Sequence, residues 1–177
     1  MHSLAVAHLD IKPSNLLLAV NTSPKSPNPF VLRIADFACA QRFAGRSDAI
    51  TATSPGTIAF WPPECFAAHN NDNEDPPAVR YCAFAADCFA VGLAIHCFLF
   101  RHLPYTCTNR NDVIEMMDRI LTFDVSACDE LLKILADREG DYTAVAAVER
   151  MLLQKDVALR YDIYSAAADI DTDLPPY

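Results

Sequence analysis

The stretch HLDIKPSN, from His8 to Asn15, decides the fold of this chain. It places a carboxylate at Asp10, a cation at Lys12 and a side-chain amide at Asn15 within a few residues of one another. Pro13 and the polar residues around it are typical of a loop rather than of a helix or strand. The sequence therefore predicts a short polar loop that gathers chemically active side chains.

A β-hairpin is predicted directly after this loop. Leu16 to Val20 is a short apolar run bounded by turn formers, the Pro-, Ser- and Asn-rich segment 21–29 is a surface loop, and Phe30 to Ala35 is the returning strand. The returning strand ends in IADFA, which delivers Asp36 back to the start of the hairpin.

The combined set of side chains suits phosphoryl transfer. That reaction needs a carboxylate to orient and accept the proton of an attacking hydroxyl, a cation near the transferred phosphate, and hard oxygen ligands for Mg²⁺. Asp10 fits the first role and Lys12 the second, while Asn15 and Asp36 fit the third.

Further motifs in the same order resemble the C-terminal lobe of eukaryotic-type protein kinases. The family pattern H-R-D-x-K-x-x-N is matched by His8-Leu9-Asp10 with Lys12 and Asn15, and D-F-G is matched by Asp36-Phe37-Ala38. G-T and A-P-E are matched by Gly56-Thr57 and Pro62-Pro63-Glu64. D-x-W-S-x-G is matched by Asp87 to Gly92, and Arg160 stands at the position of the family's late Arg. The sequences of the segments IKPSNLLL and SPGTIAFWPPE are most similar to those of the calcium/calmodulin-dependent protein kinase kinases, a Ser/Thr group.

The resemblance implies a role for each matched residue. Asp10 and Lys12 would be catalytic, with Asp10 as the base and Lys12 on the γ-phosphate of ATP. Lys12, Asn15 and Asp36 would bind the cofactor, and the latter two would hold Mg²⁺. A protein substrate would meet the loop at Gly56 and Thr57, while His8, Phe37, Glu64, Asp87 and Arg160 would be structural, with Asp87 bonded to the catalytic-loop backbone and Glu64 paired with Arg160.

The implied fold is mainly α, in the α+β class. Residues 1–168 would form a kinase C-lobe, a helical bundle around a buried central helix at about 81–100, with a small hairpin at the catalytic loop 8–15 and an activation segment over 36–64. Further helices are expected at 111–121, 129–138, 142–154 and 161–168, residues 1–7 are expected to be a helix end, and residues 169–177 to be a loose tail.

The chain also departs from the family pattern. Leu9 stands where the family has the Arg that pairs with a phosphorylated activation loop, so we do not expect that switch here. Ala38 replaces the glycine of D-F-G, which would strain the Asp36 region if that position needs a positive φ. Only 4 glycines are present, and none forms a glycine-rich phosphate loop.

Two functions stay open on this evidence. The chain is a partial Ser/Thr kinase domain that lacks the N-lobe and needs one to complete it, or it is a catalytically silent scaffold. The scaffold would bind a protein partner through its helical subdomain or through an exposed surface that faces the N-lobe.

Composition excludes some partners. The net charge of -9 argues against nucleic acid, because phosphate contacts need clustered cations. The 7 cysteines are odd in number and include no C-x-x-C, which indicates free thiols and a reducing, cytoplasmic setting. The apolar segment 81–100 is also long enough for a membrane span, but its Asp87 is costly in a bilayer, so we interpret it as a core helix and expect no membrane association.

Overall fold

The computed structural model describes residues 1–23, 28–45, 49–51, 54–69, 80–107, 112–124, 152–162 and 164–166. The strands are β1 (Val6–Ala7), β2 (Leu16–Val20), β3 (Phe30–Ile34), β4 (Gln41–Arg42), β5 (Ile50–Thr51) and β6 (Tyr81–Cys82), and the helices are α1 (Pro63–His69), α2 (Ala83–Phe100) and α3 (Val113–Thr122). Single 3₁₀ turns lie at His2–Leu4, Pro13–Asn15 and Ile58–Phe60. The described part is thus a mixture of helices and small sheets.

Three antiparallel two-stranded sheets connect these elements within the described ranges. The predicted hairpin is confirmed: β2 pairs with β3 from Leu16 opposite Ile34 to Val20 opposite Phe30. The pairs β1 with β4 and β5 with β6 each join short segments that are distant in sequence. The prediction that residues 1–7 are the end of a helix is only partly confirmed, because a single 3₁₀ turn ends at Leu4 and β1 follows it.

Helix α2 forms the centre of the fold. Its residues are mostly buried, including Phe89 and Leu93, and the core continues into α1 and α3 through Phe66 and Met116. By length and composition α2 is the one helix in the described ranges that could cross a membrane, but most of it is covered by the protein itself. A helix that is apolar on every side is what the centre of a folded domain requires.

Helix α3 begins where the sequence predicts. Asp112 is its N-cap and accepts hydrogen bonds from the backbone N–H groups of Ile114 and Glu115, at 3.0 and 3.1 Å. Such a cap satisfies backbone donors that the first helical turn leaves unpaired. The helix predicted at 129–138, all but the last three residues of the helix predicted at 142–154, and the tail 169–177 lie outside the described residues.

The cysteines of the described ranges are free thiols. Cys65 and Cys88 are buried, whereas Cys39, Cys82, Cys97 and Cys107 are partly exposed. The prediction of free thiols is confirmed for these six.

Candidate active site

Asp87, at the start of α2, fixes the backbone of the loop that contains Asp10. Its carboxylate accepts the N–H groups of His8 and Leu9, each at 2.7 Å, and the Nε2 group of His2 at 2.8 Å. Asp87 is only 1% exposed, and a carboxylate is stable at such depth only when donors replace its lost hydration. The loop is therefore anchored on the central helix, and the contact that the resemblance implies is present.

Leu9 carries backbone strain at the centre of this loop. Its φ is 61°, in the left-handed region that residues with a Cβ avoid, and its side chain is buried in the core. Hydrogen bonds on both sides of Leu9 maintain the strained backbone. The N–H of Leu9 donates to Asp87, and the carbonyl of Leu9 accepts the N–H of Gly56 at 2.8 Å. Leu9 thus joins the loop 8–15 to the segment that contains Gly56.

His8 connects the loop to the end of the hairpin. Its Nδ1 atom accepts the N–H of Asp10 at 3.3 Å, so Nε2 carries the proton that it donates to the carbonyl of Ala35 at 3.0 Å. The ring also meets the edge of Phe37, with centroids 4.9 Å apart. His8 is therefore a fully buried residue that positions the loop against the end of the hairpin.

Three neighbouring side chains hold the carboxylate of Asp10. Oδ1 accepts the hydroxyl of Thr57 at 2.6 Å, and Oδ2 accepts Lys12 Nζ at 2.9 Å and Asn15 Nδ2 at 3.2 Å. Burial acts to raise the pKa of Asp10, but the hydrogen bonds from Thr57, Lys12 and Asn15 and the charge of Lys12 outweigh it and leave the pKa below its ordinary value. Asp10 is consequently ionised at neutral pH.

Lys12 and Thr57 complete a closed triangle with Asp10. Lys12 Nζ donates a hydrogen bond to the Thr57 hydroxyl at 2.8 Å as well as one to Asp10, and the Thr57 hydroxyl in turn donates a hydrogen bond to Asp10. The sequence pointed to Thr57 as part of a substrate loop but not to this contact. A hydroxyl at that position is the signal, since its single oxygen can both accept a hydrogen bond from a lysine and donate one to a carboxylate.

Gly56 lies so close to Asp10 that no side chain fits. A Cβ at this position would be 2.5 Å from Cγ of Asp10 and 2.6 Å from its Oδ1. The glycine is thus required by close approach to the carboxylate, a reason that the sequence motif alone did not supply.

Asp36 follows the end of β3, which lies beside the loop. The preceding residue, Ala35, donates its N–H to the carbonyl of Asn15 at 2.9 Å, which keeps the end of β3 against the loop. Asp36 itself is exposed, has a φ of 62°, and accepts the N–H of Ala38 at 3.4 Å. The strain considered for Ala38 therefore lies at Asp36, because Ala38 is not among the residues with positive φ.

The donor set fits a magnesium ion shared with phosphates. Nδ2 of Asn15 donates to the backbone carbonyl of Asp10 at 2.8 Å, so its Oδ1 atom is the oxygen available for a ligand, and Asp36 offers an exposed carboxylate. Mg²⁺ commonly takes only one or two protein oxygens and fills its other positions with water and phosphate. The described residues contain no cluster of three His, Cys, Asp or Glu side chains that could hold a metal alone.

Glu64 and Arg160 brace the segment after Thr57. Two guanidinium nitrogens of Arg160 donate to the two carboxylate oxygens of Glu64, at 2.5 and 3.1 Å. Arg160 also donates to the carbonyls of Gln154 at 2.7 Å and Ala85 at 3.1 Å. The pair thereby ties the start of α1 to α2 and to the segment 152–162.

Comparison with known families supplies the identification. The family model described as "Protein kinase domain" matches residues 1–169. This chain belongs to the protein kinase family.

The curated relatives of this kinase chain are Ser/Thr kinases. It is 31% identical over 120 residues to the calcium/calmodulin-dependent protein kinase kinase cmkC of Emericella nidulans, covering 68% of this chain and 20% of that protein. It is 30% identical over 168 residues to the Ser/Thr protein kinase TOS3 of Saccharomyces cerevisiae (88% and 27%), and 30% identical over 137 residues to GRIK2 of Arabidopsis thaliana (77% and 29%). The kinase chain therefore spans less than a third of the length of these relatives.

Proposed function

We propose that residues 1–168 are the C-terminal lobe of a Ser/Thr protein kinase that transfers the γ-phosphate of ATP to a protein hydroxyl. The observation that carries this proposal is the closed network in which Thr57, Lys12 and Asn15 hold an ionised Asp10. An N-terminal lobe would complete the nucleotide site, and the loop 8–15 and the segment 36–64 would act as catalytic loop and activation segment.

Each polar residue has a distinct task in this proposal. Asp10 orients the substrate hydroxyl and accepts its proton, for which it must be ionised, as its lowered pKa provides. Lys12 lies next to this carboxylate and places a positive charge where the transferred phosphate gains charge. Asn15 and Asp36 would hold Mg²⁺, which when bound neutralises phosphate charge. Gly56 and Thr57 would form the edge of the substrate site.

The experiment is a phosphotransfer assay with Mg²⁺, ATP and a serine-containing protein on the natural full-length protein. Asp36→Ala should lower the rate at least tenfold. Asp118→Ala, which removes an exposed carboxylate from α3, is the matched control and should leave the rate unchanged. Equal rates for Asp36→Ala and the wild type would contradict the metal-binding role.

A catalytically silent scaffold is the second candidate. It is favoured by one face of the β2–β3 hairpin, where Leu18 and Val20 and their partners Leu32 and Phe30 are all at least half exposed. Such an apolar face marks a surface for a protein partner. A thermal shift of several degrees with Mg-ATP that disappears in Asp36→Ala would contradict the silent function, whereas no shift would support it.

A reducing intracellular compartment is the setting that we propose for this kinase. The free thiols of the described ranges support it, since closely spaced disulfides are usual in small secreted domains.

A further inference from the structure

A cavity of about 540 Å³ opens beside Thr57, on the side of the catalytic loop that faces the end of α2. One wall is Pro13 and the segment 56–60, and the other is Cys97 with Arg101, His102 and Leu103. Thr57 lines the cavity and its hydroxyl is hydrogen-bonded to Asp10, so Thr57 alone separates this part of the cavity from the catalytic carboxylate. A peptide whose hydroxyl reached Asp10 would have its neighbouring residues at this cavity.

The charged lining of the cavity is entirely basic. Arg101 and His102 are both exposed, and the remaining lining residues carry no ionisable group except the Cys97 thiol. No carboxylate in the described part of the chain pairs with the guanidinium of Arg101. This stands out in a protein with a net charge of -9.

The backbone presents both side chains at a defined place. Arg101 ends α2 with φ 67° and ψ 13°, and its N–H bonds to the carbonyl of Cys97 at 3.0 Å. Glycine adopts this conformation at lower cost, so an arginine here is kept against a conformational penalty. His102 Nδ1 donates to the carbonyl of Leu103 at 2.7 Å, which fixes the orientation of its ring.

We propose that this cavity binds an acidic side chain of the protein substrate, close in sequence to the phosphorylated residue, and that Arg101 is the main specificity-determining residue. The guanidinium is suited to this because its paired N–H groups match the two oxygens of a carboxylate. His102 lies beside it at the rim. The inference rests on the proposed kinase function and names its substrate class.

The test measures peptide phosphorylation by the natural full-length protein. A serine peptide in which one Glu is moved through each flanking position is compared with the matching Gln peptides. At one or two positions the wild type should prefer Glu by about fivefold in kcat/KM, and the preference should shrink as salt is raised, because exposed charge pairs are screened. Equal rates for the Glu and Gln peptides at every position would overturn the inference while leaving the kinase function standing.

Three variants separate charge from folding. Arg101→Gly removes the guanidinium and also relieves the left-handed backbone, so it should fold at least as stably as the wild type and lose the Glu preference. Arg101→Glu should shift the preference to Lys peptides. Arg119→Ala, which removes an exposed arginine from α3, should keep the Glu preference.

A binding measurement keeps the inference testable if no phosphotransfer is detected, an outcome that would count against the proposed function. Fluorescence anisotropy of the labelled Glu and Gln peptides then gives dissociation constants without ATP. Tighter binding of the Glu peptide that is lost in Arg101→Gly would support the acidic site, and equal binding by both proteins would overturn it.

Discussion

At the scale of single residues, Asp10 determines what its neighbours can be. Thr57 must supply a hydroxyl and Gly56 must have no side chain, because both lie directly against the Asp10 carboxylate. Leu9 keeps a strained backbone so that its N–H and carbonyl connect Asp87 and Gly56. Such strain persists only where surrounding contacts over-determine the conformation, which is common at functional sites.

We expect Gly56→Ala to lower phosphotransfer by about 100-fold, because displacement of a catalytic group by roughly 1 Å costs that much. The added Cβ would be 2.5 Å from Asp10 Cγ and would force the carboxylate away from Thr57. Gly92→Ala is the matched control, since the atoms nearest to its Cβ would belong to the side chains of Leu152 and Leu153, and it should keep the wild-type rate per folded molecule. Steady-state kinetics on both variants decide this, and a normal rate for Gly56→Ala would contradict the geometry.

The lowered pKa of Asp10 makes the free energy of unfolding depend on pH in the acid range. Because the folded-state pKa lies below the ordinary value of 3.8, ionised Asp10 stabilises the fold above that pH, and the contribution is lost as pH falls through the lowered pKa. Asp10→Asn should therefore destabilise the protein more at pH 7 than at pH 3. Urea unfolding of the wild type and Asp10→Asn at both pH values measures the destabilisation. A destabilisation that is larger at pH 3 than at pH 7 would contradict the predicted pH dependence.

At the scale of elements, α2 organises the site from both ends. Asp87 in its first turns anchors the loop 8–15, and Arg101 at its end lines the cavity beside Thr57. Ala85, between Asp87 and the start of the helix, accepts a hydrogen bond from Arg160. The loop, the α1 brace and the cavity thus depend on one helix.

We expect Arg160→Ala to lower the free energy of unfolding by about 3–5 kcal/mol, because it leaves the carboxylate of Glu64 without its buried partner. Glu64→Ala should cost less, since Arg160 keeps its bonds to the carbonyls of Gln154 and Ala85. Denaturant unfolding of both single variants and the double variant gives the coupling energy. Arg42→Ala, at an exposed position in β4, is the control and should change stability by less than about 0.5 kcal/mol.

Sequence patterns predicted these elements unequally. The β2–β3 hairpin and α3 could be predicted because turn formers and an Asp cap mark their ends. The strands β1 and β4 could not, because a two-residue strand has no periodicity and pairs with a distant segment. The close approach of Gly56 to Asp10 and the left-handed Arg101 also depend on tertiary contacts that no local pattern records.

At the scale of the whole molecule, apolar surface is concentrated on the hairpin. Leu18 is 68% exposed and Val20 is 71% exposed, and their cross-strand partners Leu32 and Phe30 lie on the same face. We propose that a second lobe of the kinase covers this face in the working enzyme. Without that cover, the face should drive self-association.

We therefore expect the 177-residue chain, expressed alone, to self-associate through this face. The double variant Leu18→Thr/Leu32→Thr should reduce self-association while keeping β propensity. The pair Leu4→Thr/Leu159→Thr removes as many exposed leucines from positions off the hairpin and should have little effect. Sedimentation velocity at several concentrations compares the three proteins, and equal association in all of them would contradict the role of the hairpin.

The most direct test of phosphotransfer through Asp10 is the rate of the natural full-length protein with Mg-ATP and a serine substrate, before and after Asp10→Asn. The substitution preserves size and removes the charge that accepts the hydroxyl proton, so the rate should fall by about 100-fold or more, as removal of a general base does. Thermal unfolding of the variant, measured in parallel, should show a folded protein. An unchanged rate in folded Asp10→Asn would contradict the proposed function.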